Sequence, residues 1–476
     1  MSVIFKLPNK TAKLPEQEAL PPEHSDEALA LRFAKKHAND ARYVAQWDCW
    51  FLWDGRRWVK DETLKAIDYT REACRAAAAE IGNMPRASII ASKGTIFGVE
   101  RLARSDRRLA ATISQWDARP WLLNTPDGTI DLRTGKLGEH RQDDYSTKLT
   151  AVSPEGTCPQ WLDFLNRIFA GNSELIDYVQ RVAGYALTGV TSEHALFFAY
   201  GTGANGKSTL INTLIGIMGD YSAVAQMETF TASNIDRHPT DLAMLRGARI
   251  VTAQETEEGR RWAESRIKSV TGGDPITARY MRQDNFTFVP QFKLVIAGNH
   301  KPGLRGVDEA FRRRIHLIPF GVTIPEAQRD LGLLDKLKAE WPGILAWAIE
   351  GCLKWQANGL NPPAAVRDAT AEYLEAEDTI NLWLEEHCER SPNAWELSSV
   401  LFESWKGYAE QCGEPPGSRK RFVPMLEAKG FKLERTNKGR GVRGVRLREG
   451  NKHSGPISMT LVTLEPVSPK KTVNTG

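Results

Sequence analysis

The stretch HALFFAYGTGANGKSTLINTLIGIM, residues 194–218, changes character twice. An apolar run ends at Tyr200, a glycine-rich turn follows, and from Ser208 apolar residues recur at helical spacing, so the reading is strand, loop, helix. Residues Gly201 to Ser208 fit the pattern GxxxxGK[ST], and they lie where that pattern works, directly behind a strand and ahead of a helix. The glycines let backbone amides turn inward around phosphates, Lys207 places a point charge on the β and γ phosphates, and Ser208 offers its hydroxyl to Mg²⁺. The candidate nucleotide-binding residues are therefore Gly201, Thr202, Gly203, Ala204, Asn205, Gly206, Lys207, Ser208 and Thr209, with ATP and Mg²⁺ as the expected cofactors.

Outward from this loop, ARIVTAQE (248–255) and QFKLVIAGN (291–299) alternate with helical segments, as in a parallel α/β sheet. A phosphate cradle needs an acidic partner to activate water. Glu255 ends the first of these strands, with Glu257 and Glu258 close behind, and is the candidate for polarising water and for sharing the metal with Ser208. Asn299 ends the second strand at the carboxyl edge of the sheet, where α/β ligands gather, and would orient the water or sense the γ phosphate. In DEAFRRRIHLIPF (308–320) three arginines enter an apolar strand. In ring ATPases such a guanidinium acts across a subunit interface, which makes Arg313 and Arg314 catalytic candidates. Each feature alone also has a plain reading: an acidic loop, turn chemistry ahead of Pro302, a basic surface. Their order along one chain favours the catalytic reading.

That order, GxxxxGKST, a strand ending in Glu, TGGDPITARYM, a strand ending in GNHKP, and DEAFRRRIHLIPF, resembles superfamily 3 helicases. More narrowly, it is similar to the C-terminal helicase half of phage, plasmid and poxvirus primase-helicases. Upstream, WFLWDGRRWV, LLNTPDGTIDLRTG, CPQWLDFLNRIF and LIDYVQRVAGYALTG resemble the domain that precedes the ATPase in that family, so the likeness covers about residues 26 to 325. It implies an AAA+-related core, a homo-hexameric ring that uses ATP to move along single-stranded DNA, and a hairpin projecting into the channel. That hairpin would be residues 271–288, preceded by Lys268, with Arg279, Tyr280 and Arg282 holding phosphates and stacking on bases. The second acidic motif is Gln254-Glu255 where a pair of adjacent acids is expected, which leaves the division of metal and water roles open. The resemblance also leaves open which of Arg313 and Arg314 is the interfacial arginine.

The 476 residues correspond to roughly three domains at about 150 residues each, and 41% hydrophobic with 26% charged residues is ordinary for a soluble globular chain. The most apolar stretch, Ala183 to Tyr200, is interrupted by Gly184, Gly189, Glu193 and His194, so no membrane span is expected. The N-terminus does not read as a secretory signal, which gives a cytoplasmic location, in a bacterial host if the phage and plasmid likeness holds. Six cysteines without CxxC spacing read as reduced, buried thiols. Asp54-Gly55 between aromatic runs signals a hairpin in which Trp47, Trp50, Trp53 and Trp58 are read as core in preference to a stacking platform. Asp127-Gly128 and Thr134-Gly135 mark two more turns. No DxD pair stands among residues 1 to 150, so primase chemistry is not expected here, and a separate primase or other replication proteins are expected as partners.

Between residues 414 and 452, twelve Lys or Arg face four Glu. Helical patterns over 379–412, a second helix from Ser418, and a hairpin over 431–449 together resemble a winged helix. Arg419, Lys420 and Arg421 on the helix and Lys438, Arg440 and Arg443 on the wing would meet the phosphates of duplex DNA. The expected fold class is α/β. The expected order is a disordered arm (1–25), an N-terminal α/β domain (26–155), a helical collar (156–195), the P-loop ATPase core (196–325), a helical segment (326–378), a winged-helix-like domain (379–450) and a flexible tail (451–476). The function read from this is an ATP-dependent DNA helicase or translocase. Its rivals are an origin-binding initiator whose ATP site controls assembly and a P-loop ATPase that remodels protein.

Overall fold

The computed structural model describes residues 20–232, 240–254, 260–279, 284–304, 309–376, 379–412, 416–437 and 439–448. Most of the expected N-terminal arm and all of the tail lie outside these residues. The chain divides into two compact units, residues 1–302 with 313–370, and residues 303–312 with 371–476.

The first unit opens with α1 (Asp26–Lys36), capped by the Ser25 hydroxyl, which accepts from the Ala28 N–H. Strands β1 (Ala41–Val44), β2 (Cys49–Trp53) and β3 (Trp58–Lys60) form an antiparallel sheet in that order. The Asp54-Gly55 turn lies between Trp53 and Trp58, which are paired across it, while β1 was not foreseen. Trp50 and Trp58 are buried, as expected of core residues, whereas Trp47 and Trp53 are only half-buried. Helices α2 (Lys65–Ala79), α3 (Met84–Ile90) and α4 (Lys93–Ala103) follow. A second small sheet, β4 (Leu122–Thr125), β5 (Gly128–Asp131) and β6 (Lys136–Gly138), turns at the two predicted glycine pairs.

Helices α5 (Pro159–Ile168) and α6 (Ser173–Leu187) lead into the main sheet. Its elements are β7 (Leu196–Tyr200), α7 (Lys207–Met218), β8 (Ser222–Val224), α8 (Thr240–Ala243), β9 (Ile250–Gln254), α9 (Glu264–Gly272), the pair β10 (Ile276–Ala278) and β11 (Phe286–Phe288), and β12 (Lys293–Gly298). The short α10 (Glu309–Arg312) precedes β13 (Ile315–Pro319). The five parallel strands run in the order β13, β7, β12, β9, β8. Every residue of β12 is buried, and after Lys293 it is the continuous apolar run that a sheet covered on both faces requires. The fold of this unit is thus mixed α/β, with a parallel sheet at its centre.

Helices α11 (Leu333–Ala339) and α12 (Trp341–Asn358) return to the sheet, and α12 lies against α6. The two backbones meet at glycines. A methyl on Gly184 would overlap the main chain at Cys352, and one on Gly351 would overlap the Gln180 carbonyl. Two buried cations tie the amino-terminal edge of the sheet to the end of α6. Arg249 donates to the carbonyls of Leu187 (2.7 Å) and Leu122 (2.5 Å), and Lys293 to those of Thr188 and Val190. No carboxylate neutralises them among the described residues, so burial holds both below their ordinary pKa, and the oxygens at a helix C-terminus supply the compensating field.

After α13 (Ala364–Ala376), the second unit holds α14 (Thr379–His387), β14 (Cys388–Leu397), α15 (Ser398–Gln411), α16 (Arg419–Ala428), β15 (Lys432–Thr436) and β16 (Gly439–Leu447). Here one expectation is corrected: a strand interrupts the helical pattern read over 379–412. β14 pairs with β16 at both ends and loses register between Arg390 and Trp395, where Pro392 needs no ladder hydrogen bond. The core is formed by Trp383, Trp405, Phe422 and Val445. All six cysteines are unpaired, and burial pushes the thiols of Cys74, Cys158 and Cys352 up to about 11. No helix among the described residues is long and apolar enough to cross a membrane.

Candidate nucleotide site

The strand, loop and helix read over 194–218 are present, and their local geometry explains the glycines. Gly203 and Gly206 adopt φ of 99° and 87°, a region L-residues avoid. Gly206 is also the N-cap of α7, and a Cβ there would lie 2.5 Å from the Ile168 Cγ2 and 3.1 Å from the Phe164 ring. Helix α5 therefore walls the loop, and the carboxylate of Glu340 fixes α5 by accepting from the N–H groups of Gln160 (3.1 Å) and Trp161 (3.0 Å). At the other end of the loop, a Cβ on Gly201 would come within 2.5 Å of the Phe320 carbonyl.

Lys207 is 6% exposed, and its ammonium donates to the Gly201 carbonyl (2.5 Å), Asn205 Oδ1 (3.1 Å) and Asn299 Oδ1 (3.1 Å). All three acceptors are neutral, no carboxylate pairs with it among the described residues, and burial lowers its pKa. A partly desolvated cation beside the N-terminus of an α-helix is a ready site for an anion. Asn205 is buried and donates to the Phe320 carbonyl (3.3 Å), while Thr202, Ala204 and Ser208 are exposed.

Asn299 reaches Lys207 because β12 lies beside β7 in parallel register, Gly298 opposite Tyr200. On the other side of β12, Gln254 of β9 stands opposite Ala297 and is exposed. Glu255, Glu257 and Glu258 fall outside the described residues. The structure thus brings together the loop, Lys207 and Asn299 at one carboxyl edge. It adds Lys301, whose ammonium lies 4.7 Å from the Tyr200 ring, a pair that no sequence pattern announced.

Arg313 and Arg314 lie elsewhere. They precede β13, whose Ile315 stands opposite Leu196 at the start of β7, so they occupy the edge of the sheet away from the loop. The five residues of β7 put about 16 Å between the two edges. Arg313 is exposed, whereas Arg314 is half-buried with its guanidinium beside Gly272.

Of the residues expected on DNA, Arg279 is exposed at the end of β10, Lys268 is half-buried on α9, and Tyr280 and Arg282 lie outside the described residues. The flanking strands pair as a hairpin, Ile276 with Phe288 and Ala278 with Phe286. In the second unit Arg419, Lys420 and Arg440 are exposed, while Lys438 and the Arg421 side chain are outside the described residues. Two details differ from expectation. Ser418 takes the N-cap position of α16 without a side-chain cap bond, and Arg443 is ion-paired with Glu434 on the neighbouring strand.

The sequence matches two family models. Residues 30–170 match the one described as "D5 N terminal like", and residues 199–314 match a "Family of unknown function (DUF5906)". A provisionally named helicase of Acanthamoeba polyphaga mimivirus is 25% identical over 310 residues, 60% of this chain and 32% of that protein. Another, of Frog virus 3 (isolate Goorha), is 24% identical over 325 residues, 63% of this chain and 33% of that protein. The chain is similar to viral proteins designated helicases. It spans about a third of the length of these two relatives. Among solved structures, the apo NrS-1 C-terminal region (305–718) gives a TM-score of 0.49 at 10% identity, covering 81% of this chain and 82% of that one.

Proposed function

We propose that this chain is an ATP-driven DNA helicase or translocase of the superfamily 3 type, acting in viral or plasmid-type replication as a homo-hexamer on single-stranded DNA. One observation carries the reading. A buried lysine with only neutral partners sits at the N-terminus of a helix behind GxxxxGKS, hydrogen-bonded to an asparagine at the end of the adjacent parallel strand.

In this reading the amides of residues 201–206 and Lys207 would hold the ATP phosphates, and Ser208 and Glu255 would hold Mg²⁺. When bound, the ion neutralises phosphate charge. Asn299 keeps the Lys207 ammonium directed into the loop, and Glu255 takes the proton of the attacking water. Arg313 is the better candidate for the interfacial arginine, because it is exposed and about 16 Å from its own loop, beyond an arginine's reach. The β10–β11 hairpin, through Arg279, Tyr280 and Arg282, contacts the strand in the channel. The second unit acts as a winged-helix-like duplex contact through Arg419, Lys420 and Arg440. A separate primase would complete the machinery, and the bacterial cytoplasm rests on the phage and plasmid resemblance alone.

The test is strand displacement on a forked duplex. The full chain should separate the strands only with ATP and Mg²⁺, and Lys207→Ala should abolish separation while leaving the fold intact. ATP-independent separation, or activity retained by Lys207→Ala, would overturn the assignment.

A further inference from the structure

The hairpin assigned above to single-stranded DNA is a two-stranded sheet with three paired rungs, Ile276 with Phe288, Thr277 with Thr287 and Ala278 with Phe286. A ribbon this short is marginal by itself in water, so its position is set by whatever grips it. The grip comes from residues 240–246, which are α8 and the turn behind it. On the β10 arm, the Thr240 hydroxyl donates to the Arg279 carbonyl (3.2 Å). On the β11 arm, the Arg246 guanidinium lies 5.7 Å from the centre of the Phe286 ring. Phe286 stands opposite Ala278, the neighbour of Arg279, so both arms are held beside the residue expected on DNA.

The same guanidinium also engages the N-terminal part of the unit. It lies 4.4 Å over the Trp47 ring, and its Nη2 donates to the Ile113 carbonyl (3.4 Å). Trp47 is braced in turn, its ring packing against those of the buried Phe51 (5.6 Å) and Trp116 (6.3 Å). Three residues beyond β11, Gln291 donates to the Asp117 carbonyl (3.0 Å), a second tie between the outgoing arm of the hairpin and the same part of the chain. Arg246, Trp47 and Phe286 are all half-buried. A planar guanidinium can meet two rings at once, which a compact ammonium does poorly.

We propose that Arg246 is a positioning residue that locks the β10–β11 hairpin onto the first small sheet, through Phe286 on one side and Trp47 on the other, and so holds Arg279 in place for the strand. The inference rests on the helicase reading and deepens it, since neither Arg246 nor Trp47 needs to touch nucleotide or DNA. Such a lock acts by pre-ordering. Without it the strand must itself hold the hairpin in position, so apparent affinity for the strand falls by no more than the lock is worth.

The experiment follows steady-state ATP hydrolysis by the full chain as oligothymidylate is titrated in, with the KM for ATP measured in parallel. Arg246→Gln should raise the half-stimulating oligothymidylate concentration by about 2-fold to 30-fold, the factor one cation–π contact supports, and Arg246→Lys should not restore it fully. Turnover without DNA and the KM for ATP should stay unchanged, a split that general damage to the core would not produce. Trp47→Leu should act like Arg246→Gln, whereas Trp47→Phe, which keeps a ring, should recover most of the loss. Combined, Arg246→Gln and Trp47→Leu should cost less than the product of their separate effects, because each removes the same contact. An unchanged half-stimulating concentration, strictly multiplicative effects, or an equal loss of basal turnover would overturn the lock alone if DNA still stimulates the wild-type chain. A wild-type chain that DNA does not stimulate would overturn the helicase reading, and the lock with it.

Discussion

Gly206→Ala tests how α5 shapes the nucleotide loop. The new methyl meets two penalties: a left-handed φ of 87°, worth about 1–2 kcal/mol for an L-residue, and overlap with Ile168 Cγ2 at 2.5 Å, worth about 1–3 kcal/mol if the wall gives only partly. Gly203→Ala is the control. Its φ of 99° carries the same strain, but nothing lies within 4 Å of the new methyl. Urea denaturation should therefore show Gly206→Ala costing about 2–5 kcal/mol and Gly203→Ala about 1–2 kcal/mol, and only the former should shift α7 and weaken binding of a fluorescent ATP analogue. Ile168→Leu removes the offending methyl at nearly constant volume, so in the Gly206→Ala background it should recover about 1 kcal/mol relative to additivity. Equal costs for the two glycine variants, or strict additivity with Ile168→Leu, would refute the idea that α5 sets the loop.

Arg313→Ala should cut turnover by roughly 10³ to 10⁵, more than Arg314→Ala, and mixing it with Lys207→Ala should restore activity at interfaces that carry one intact site; no recovery despite proven mixing would place the arginine's action within its own subunit. His316 is half-buried, desolvation pushes its pKa down to about 4, and its Nδ1 lies 2.8 Å from the Tyr178 hydroxyl. The unfolded chain takes up this proton near pH 6.5 and the folded chain only near 4, so stability should fall as pH drops through that window. This group should cost about 2 kcal/mol between pH 7 and pH 5, and His316→Gln should flatten the urea midpoint over that range. In the second unit, replacing Arg419, Lys420 and Arg440 by Gln should reduce the salt slope of duplex binding by about 2.7, with basal ATPase spared; Arg443→Gln should change it less because Glu434 already neutralises that charge.

The strand, loop and helix around Lys207 were legible because the apolar pattern changes period at a glycine cluster, and local chemistry suffices for both elements. The Lys207–Asn299 bond was not legible as a contact. The two residues meet only because β12 inserts beside β7, a non-consecutive pairing that no spacing encodes. β14 was hidden because CERSPNAWEL carries neither clean alternation nor a strong strand composition, and its partner β16 dictates its extended form. The cations Arg249 and Lys293 passed unnoticed for a related reason. Each stands just at or before the start of an apolar strand, where a charged residue reads as a solvated end, yet the fold closes α6 and the segment before β4 over them. The tryptophans of the first hairpin divided: Trp50 and Trp58 followed the core reading, and Trp47 emerged half-exposed beneath Arg246 because the opposing residue comes from a segment two hundred positions away.

The most direct measurement is steady-state ATP hydrolysis by the full chain with Mg²⁺, with and without single-stranded DNA, alongside Lys207→Ala. The account expects hydrolysis that single-stranded DNA stimulates and that vanishes in the variant. Turnover indifferent to DNA, or equal in the wild type and Lys207→Ala, would contradict it.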